Sequence, residues 1–347
     1  MTEEQKYFLS GQAVVATKPN HVELQQVQIP ALSDDDVQVR VTHSWISNGT
    51  ESSYIRGERI MGDTARREND PWPFPHVPGY QKCGIVEAVG KNVRGIETGA
   101  RVFVSVSKID GMFWDAGGPI SPAVAHQSQI WKLPNEVTEV AASGSVLTQV
   151  GYNCGIKAPI APGDRAVIIG DGMVGHWAAQ TLAWRGARVA LLGRHDVRLQ
   201  KFAARPMDLL INTKQQDAFS TLQKWAPQGL QVVVDTVGAL ADLKVLLPQM
   251  RANGHLVSAG FYGENGLINI QPLRTGEQTL HAPSGWNRKR MDATLELMAQ
   301  GVLQTEHLIT HRFPIEQAVA AYDLILSRRE PVLGIVLDWE KKSEVRS

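Results

Sequence analysis

One stretch constrains this chain more than any other: Val167-Ile168-Ile169 runs straight into Gly170-Asp171-Gly172-Met173-Val174-Gly175. An apolar run that ends in G-x-G-x-x-G and opens an amphipathic segment reads as a strand, a tight turn and a helix. The first glycine permits the turn, the second lets the backbone approach a pyrophosphate, and the third lets helix and strand pack closely. The N–H groups and positive dipole end of such a helix face the anion. Gly170, Gly172, Met173, Val174 and Gly175 are therefore the first candidate cofactor-binding residues.

The 347 residues suffice for two domains at roughly 100–200 residues each. Formal net charge is zero, from 35 basic and 35 acidic residues. That excludes the basic excess which nucleic acid or a membrane surface demands. Met1–Lys6 lacks the charged-then-apolar pattern of a secretory signal, and no apolar stretch approaches the ~20 residues that span a bilayer. The expectation is a cytoplasmic protein with neither nucleic-acid nor membrane partners. Cys83 and Cys154 read as buried reduced thiols.

The first third reads as short strands and turns. Val37, Val39 and Val41 alternate with polar partners, and Ile85–Val89 and Arg101–Val104 follow around glycine turns. A β-rich, barrel-like unit is expected. Between Gly57 and Pro78 a long loop is expected, because Pro71, Pro73 and Pro75 forbid helix. From Arg165 the character changes. Arg165–Ile169 is apolar without alternation, as a parallel sheet covered on both faces requires. Helix is expected over Gly172–Trp184, then strands at Val189–Leu192, Leu209–Ile211, Val232–Val234 and Leu256–Ala259. Strand–helix alternation means βαβ units, and this domain is placed at residues 156–293. Helices near Arg290–Met298 and Ile315–Leu326 and a strand at Val332–Leu337 follow. This last stretch is expected to rejoin the first domain, as 1–155 plus 294–347.

In a dinucleotide-binding fold the end of the second strand faces the adenosine ribose. An acidic residue there accepts the hydroxyls of NAD, whereas a small residue followed by Arg suits the 2′-phosphate of NADP. Here that strand ends in Leu192-Gly193-Arg194-His195, with no acidic residue. Arg194 either pairs with a phosphate through its fork of donors or is a solvated loop residue. Arg198, one turn further along, is a further candidate cofactor contact, Lys201 lies beyond it, and Asp196 blunts the local positive field. NADP(H) is the expected cofactor.

Six segments carry a resemblance. They are Asn48-Gly49-Thr50-Glu51, Val77-Pro78-Gly79-Tyr80-Gln81, Ala161-Pro162-Gly163-Asp164, Val234-Asp235-Thr236-Val237-Gly238, Gly254–Gly260 and Ile335-Val336-Leu337-Asp338. In this order they resemble the medium-chain dehydrogenase/reductase superfamily, the alcohol-dehydrogenase-like proteins. The resemblance implies an α/β protein: a discontinuous GroES-like β-rich catalytic domain plus a Rossmann domain with a doubly wound parallel sheet. It adds Thr236, Val237 and Gly260 to the cofactor contacts, and implies a small-molecule substrate and a homodimer.

The departures bear on chemistry. Zinc-dependent members hold their metal with Cys, His and a further Cys, Asp or Glu. The matching positions here carry Asn48, Tyr80, Gln81 after it, and Ser143-Gly144-Ser145; Ser105–Pro119, where four cysteines hold a structural zinc, has none. Zinc wants thiolate, imidazole or carboxylate ligands, so no metal is expected and the chain resembles the zinc-free branch. Ser47–Glu51 is similar to the Ser-x-Gly-Thr-Glu run of bacteriochlorophyllide-type dehydrogenases. The resemblance implies catalytic roles for Tyr80, Thr50 and Asn48. Thr50 matches the family's proton-relaying threonine. Tyr80 is either a proton donor or an aromatic wall filling the former metal site.

Other residues read two ways. Glu51 either orients Thr50 or is a satisfied structural carboxylate. Trp72, Phe74, Phe113 and Trp114 either line a pocket or are ordinary packing. His176 reads as a helix-face residue and Arg288-Lys289-Arg290 as a solvated helix start. The leading expectation is metal-independent NADP(H)-linked hydride transfer at a carbonyl or alcohol. The alternatives are an enoyl or quinone reductase and a non-catalytic NADPH-binding sensor or scaffold.

Overall fold

The structure, a computed structural model, describes residues 7–238, 240–266 and 269–340. Met1–Lys6, whose pattern was read above, lie outside them. The chain divides into two units, Met1–Val146 with Ile309–Ser347, and Leu147–Leu308. These boundaries differ from those expected at 155 and 294. Most of the helix Ser145–Lys157 and all of the helix Arg288–Ala299 go with the second unit.

Unit 1 begins with an antiparallel pair, β1 (Phe8–Lys18) and β2 (His21–Pro30). β3 (Asp36–Ile46) leads into α1 (Asn48–Ile55). The alternation read at Val37, Val39 and Val41 places all three in one core with Val86, Val102 and Ile130. β4 (Lys82–Val89), β5 (Arg101–Val104), β6 (Ala123–His126) and β7 (Ile130–Lys132) follow. They assemble in the order β7-β5-β4-β3, with β6 also paired to β3.

The segment between Gly57 and Pro78, expected as a loop, contains a short hairpin, Arg59–Met61 with Thr64–Ala65. Arg66 fastens the remainder. Its Nη1 donates to the carbonyls of Arg67 and Asp70 at 3.0 Å each, and its guanidinium lies 3.9 Å from the Trp72 ring centre.

Unit 2 starts with α2 (Ser145–Lys157), β8 (Arg165–Ile169), α3 (Met173–Trp184) and β9 (Arg188–Gly193). β10 (Leu209–Asn212), α4 (Ala218–Trp225), β11 (Leu230–Asp235), β12 (Met250–Ser258), β13 (Thr279–His281) and α5 (Arg288–Ala299) complete it. The six strands form one parallel sheet in the order β10-β9-β8-β11-β12-β13. Numbered within the sheet this is 3-2-1-4-5-6, the doubly wound dinucleotide-binding order. The missing alternation in β8 has its cause here. Ala166 and Ile168 join the core under Ala178 and Leu182, while Val167 and Ile169 join the opposite core with Leu222 and Leu243.

The chain then returns to unit 1. β14 (Ile309–Pro314), α6 (Ala318–Ser327) and β15 (Gly334–Asp338) extend the first sheet, β15 antiparallel to β3 and β14 parallel to β15. A 3₁₀ turn at Ile315–Gln317 precedes α6, and the strand expected from Val332 begins at Gly334. Among the described residues no helix is long and apolar enough to cross a membrane.

Candidate functional site

In unit 2 the glycine turn is built as its sequence requires. Gly170 has φ +118°, and a Cβ there would meet Thr236 Oγ1 at 2.4 Å. A Cβ on Gly175 would lie 2.0 Å from the Gly170 carbonyl oxygen. Gly172 caps α3, and the space its Cβ would fill is open. Met173 and Val174 form the first turn of α3, at the positive end of the helix dipole. A glycine turn at a helix N-terminus has the shape and polarity that an anion such as a pyrophosphate requires.

Thr236 continues the lining. Its hydroxyl and its N–H both donate to the carbonyl of Ile169 at the end of β8. Asp235, fully buried, accepts the N–H groups of Val237 and Gly238 with one oxygen. The Tyr262 hydroxyl donates to its other oxygen at 2.7 Å and accepts from Ser258. This holds the Thr236–Gly238 turn, with Val237 57% exposed. Gly260 packs so closely on Gly238 that no Cβ fits between them. Tyr262 carried no signal in the sequence beyond its place after Gly260.

The ribose corner differs from expectation. No acidic residue stands at Gly193 or Arg194, yet a carboxylate is there, supplied from the glycine turn. Asp171 Oδ2 accepts from the N–H of Arg194 at 2.9 Å, the N–H of His195 at 3.0 Å and His195 Nδ1 at 3.0 Å. Its Oδ1 meets Arg198 Nη1 at 3.3 Å. A Cβ on Gly193 would lie 2.4 Å from the Asp171 Cβ. Burial alone would raise the Asp171 carboxyl, but the Arg194 N–H, Arg198 and His195 hold it below its ordinary value. Arg198 is therefore engaged, and the Arg194 side chain is left exposed. Asp196, expected to weaken the field, turns instead to Asn212 and Gln215. His176 is fully buried, and desolvation pushes its ring down to about 4. It stays neutral at ordinary pH.

In unit 1 the first turn of α1 and the start of β4 bring three hydroxyls together. The Tyr80 hydroxyl lies 2.8 Å from Ser47 Oγ and 3.4 Å from Thr50 Oγ1. Burial pushes the Tyr80 phenol up to about 12. Ser47 was legible only as part of the Ser47–Glu51 run. Asn48 does not join this chain: its Nδ2 donates to the Leu333 carbonyl at 2.6 Å, and its Oδ1 is buried without a partner.

Glu51 is fully enclosed. It accepts the Ser47 N–H at 2.7 Å and the Tyr322 hydroxyl of α6 at 2.6 Å. Desolvation raises its carboxyl to about 7 despite those two donors. The carboxylate thus anchors α1 to α6. Behind Tyr80, Lys82 is fully buried, and Nζ donates to the carbonyls of Ser105 and Gly117. Phe74 and Trp114 pack on the buried ring of His76, while Trp72 stacks on Phe74 and Phe113 meets Trp114 edge-on, both of them exposed.

The zinc-ligand positions do not fit a zinc ion. Gln81 donates to the Trp45 carbonyl, and the Ser143 and Ser145 hydroxyls donate to the carbonyls of Val140 and Ala142. What remains is an amide oxygen, a phenol and two aliphatic hydroxyls, all neutral, where zinc wants anionic or imidazole ligands. Among the described residues no three of His, Cys, Asp and Glu are grouped to hold a metal.

Comparison with known proteins agrees with this architecture. Residues 33–135 match the alcohol dehydrogenase GroES-like domain family, and residues 174–300 match the zinc-binding dehydrogenase family. The 2-desacetyl-2-hydroxyethyl bacteriochlorophyllide A dehydrogenase of Cereibacter sphaeroides is 25% identical over 340 residues, covering 94% of this chain and 98% of its own. The short chain alcohol dehydrogenase of E. coli CFT073, solved with NADH, superposes with a TM-score of 0.81 at 22% identity, covering 95% of this chain and 99% of its own. A structure from Sinorhizobium meliloti 1021 described as a zinc-binding dehydrogenase, bound to NADP, gives a TM-score of 0.79 at 20% identity, covering 95% and 99%. With one family match in each unit and relatives aligned nearly end to end, this chain belongs to the medium-chain dehydrogenase/reductase superfamily.

Proposed function

We propose that the protein is a metal-independent, NADP(H)-dependent oxidoreductase that interconverts a carbonyl and an alcohol on a small organic substrate. One observation carries this reading. The hydroxyl chain Ser47–Tyr80–Thr50 is centred on Tyr80, the residue at a position where the superfamily resemblance puts a metal ligand. NADP(H), when bound, supplies or accepts the hydride.

The chain's own residues then handle charge. With its phenol near 12, Tyr80 stays protonated at neutral pH and donates a hydrogen bond to a substrate carbonyl oxygen. As that oxygen becomes an alkoxide it is a stronger base than phenolate, so the proton moves downhill from Tyr80. The Ser47 and Thr50 hydroxyls stabilise the phenolate left behind, and Thr50 offers the proton path outward. The unpartnered Asn48 Oδ1 is an acceptor for the product hydroxyl. An enolate is a weaker base than an alkoxide, so so weakly acidic a phenol favours carbonyl over enone chemistry.

NADP(H) is favoured by the exposed Arg194 and by the lack of an acidic side chain on Gly193 or Arg194. Asp171 opposes it. Thr50, Asn48 and Tyr80 are the proposed catalytic residues. Gly170, Gly172, Met173, Val174, Gly175, Gly193, Arg194, Thr236, Val237 and Gly260 are the proposed cofactor contacts, with Arg198 acting through Asp171. The reading takes the protein as a cytoplasmic homodimer, as the superfamily resemblance implies for the dimer.

A panel of ketones, aldehydes, enones and quinones with NADPH tests it. Consumption on ketones or aldehydes is expected. Consumption confined to enones or quinones would replace this reading with C=C reduction. Tight NADPH binding with no consumption on any compound would make the protein a sensor.

A further inference from the structure

The parallel sheet of unit 2 has a second concave site at its other end. The glycine turn follows the C-terminal ends of the strands, where ligands of such sheets bind. Arg165 and Arg188 instead open β8 and β9, about 13 Å away along β8 at ~3.3 Å per residue. They are register partners on neighbouring parallel strands, so both side chains leave the same face. With Arg251, Asp164 and the Ala226–Gly229 turn they line a pocket of about 430 Å³.

The three guanidiniums are held differently. Arg165 Nε donates to the Trp225 carbonyl at 3.0 Å and Nη1 to the Gly163 carbonyl at 3.2 Å, with the group 4.9 Å from the Trp225 ring centre. It is fixed, but only by neutral partners. Arg251 pairs with Asp164 at 3.0 Å, and the other Asp164 oxygen accepts the Ala161 N–H. The pocket's one carboxylate is thereby engaged. Arg188 is exposed and pairs with no carboxylate among the described residues. Burial and the charge of Arg188 both depress Arg165 below its ordinary value.

Three cations face one anion on this concave wall. Like charges directly opposed on neighbouring strands are destabilising, and an anion seated between them reverses the sign. Guanidinium forks match paired oxygens, and Pro162, Pro227 and Ala226 add an apolar wall. We propose that this pocket binds a small oxyanion of two or more negative charges, a phosphate ester or a polycarboxylate, separately from the dinucleotide. The inference stands independently of the proposed reaction.

The test is isothermal titration of the full chain, its dinucleotide site saturated with NADPH, with inorganic pyrophosphate and, separately, citrate. The wild type, Arg188→Met and Arg194→Ala are compared, with circular dichroism to confirm folding. Arg188→Met changes an exposed side chain and should fold normally. Binding of at least one probe is expected, weakened about tenfold or more by Arg188→Met and unchanged by Arg194→Ala. The probe that binds more tightly identifies the phosphate or the carboxylate class. No binding of either probe at millimolar concentration overturns the proposal. So does binding undiminished in Arg188→Met, or binding lost in Arg194→Ala, which would place the anion at the ribose corner.

Discussion

Asp171→Asn should change which nicotinamide cofactor the protein prefers. The Asp171 carboxylate accepts the N–H of Arg194 at 2.9 Å and is only 7% exposed. The order of magnitude follows from Coulomb's law with an assumed separation of about 7 Å between Asp171 and a 2′-phosphate held by the Arg194 side chain. At that distance Coulomb's law gives about 0.6 kcal/mol per charge pair in bulk water and about 2.4 kcal/mol at an effective dielectric of 20. The phosphate is exposed and nearly dianionic, so a penalty of about 1–2 kcal/mol on NADPH is expected, close to tenfold in affinity. NADH carries no charge there and escapes it. The substitution also releases Arg198 toward the phosphate, which adds to the effect. Asparagine keeps one acceptor for the Arg194 and His195 N–H groups, and the loss of the others should cost about 1–3 kcal/mol of stability. Dissociation constants of NADPH and NADH, measured by nucleotide fluorescence for wild type and variant, give the ratio directly. It should move toward NADPH by about tenfold. An unchanged ratio, or a move toward NADH, would refute the electrostatic role of Asp171.

Arg194→Ala should weaken NADPH by about 1.5–3 kcal/mol and leave NADH within twofold, measured in the same assay. Tyr80→Phe should lower turnover by about 10²–10⁴-fold with NADPH affinity unchanged; unaltered turnover returns Tyr80 to an aromatic wall. Glu51 gives a pH signature. Its carboxyl is raised from 4.5 to about 7 in the fold. The folded chain therefore keeps this proton where the unfolded chain loses it, and stability falls as pH rises through that window. Glu51→Gln should remove a decline of roughly 3 kcal/mol between pH 4.5 and 7, read from urea unfolding at each pH. Parallel pH curves for wild type and variant would contradict it.

The parts legible in sequence are those whose cause is local. The bare apolar run of β8 required two covered faces, and it has them. Gly170 and Gly175 required a turn with no room for side chains, and a Cβ at either would clash. What the sequence hid depends on register and distance. Asp171 looks like any residue between two glycines. Only the pairing of β8 with β9 lays its carboxylate against Gly193 and Arg194, so the acidic group came from the other strand's turn. Glu51 meets Tyr322, and Asn48 meets Leu333, because the C-terminal segment returns to the first sheet. The resemblance placed Tyr80 at a former ligand position, but its hydroxyl partner Ser47 depended on side-chain geometry that no spacing encodes.

The most direct test follows hydride itself. Protein stripped with chelator and verified below 0.1 zinc per chain by mass spectrometry would be mixed with NADPH deuterated at nicotinamide C4 and with the best ketone of the panel. Deuterium on the carbinol carbon of the product, at a rate unchanged by adding zinc, is the predicted result. No transfer until zinc is restored, or none under any condition, would contradict metal-independent hydride chemistry in this chain.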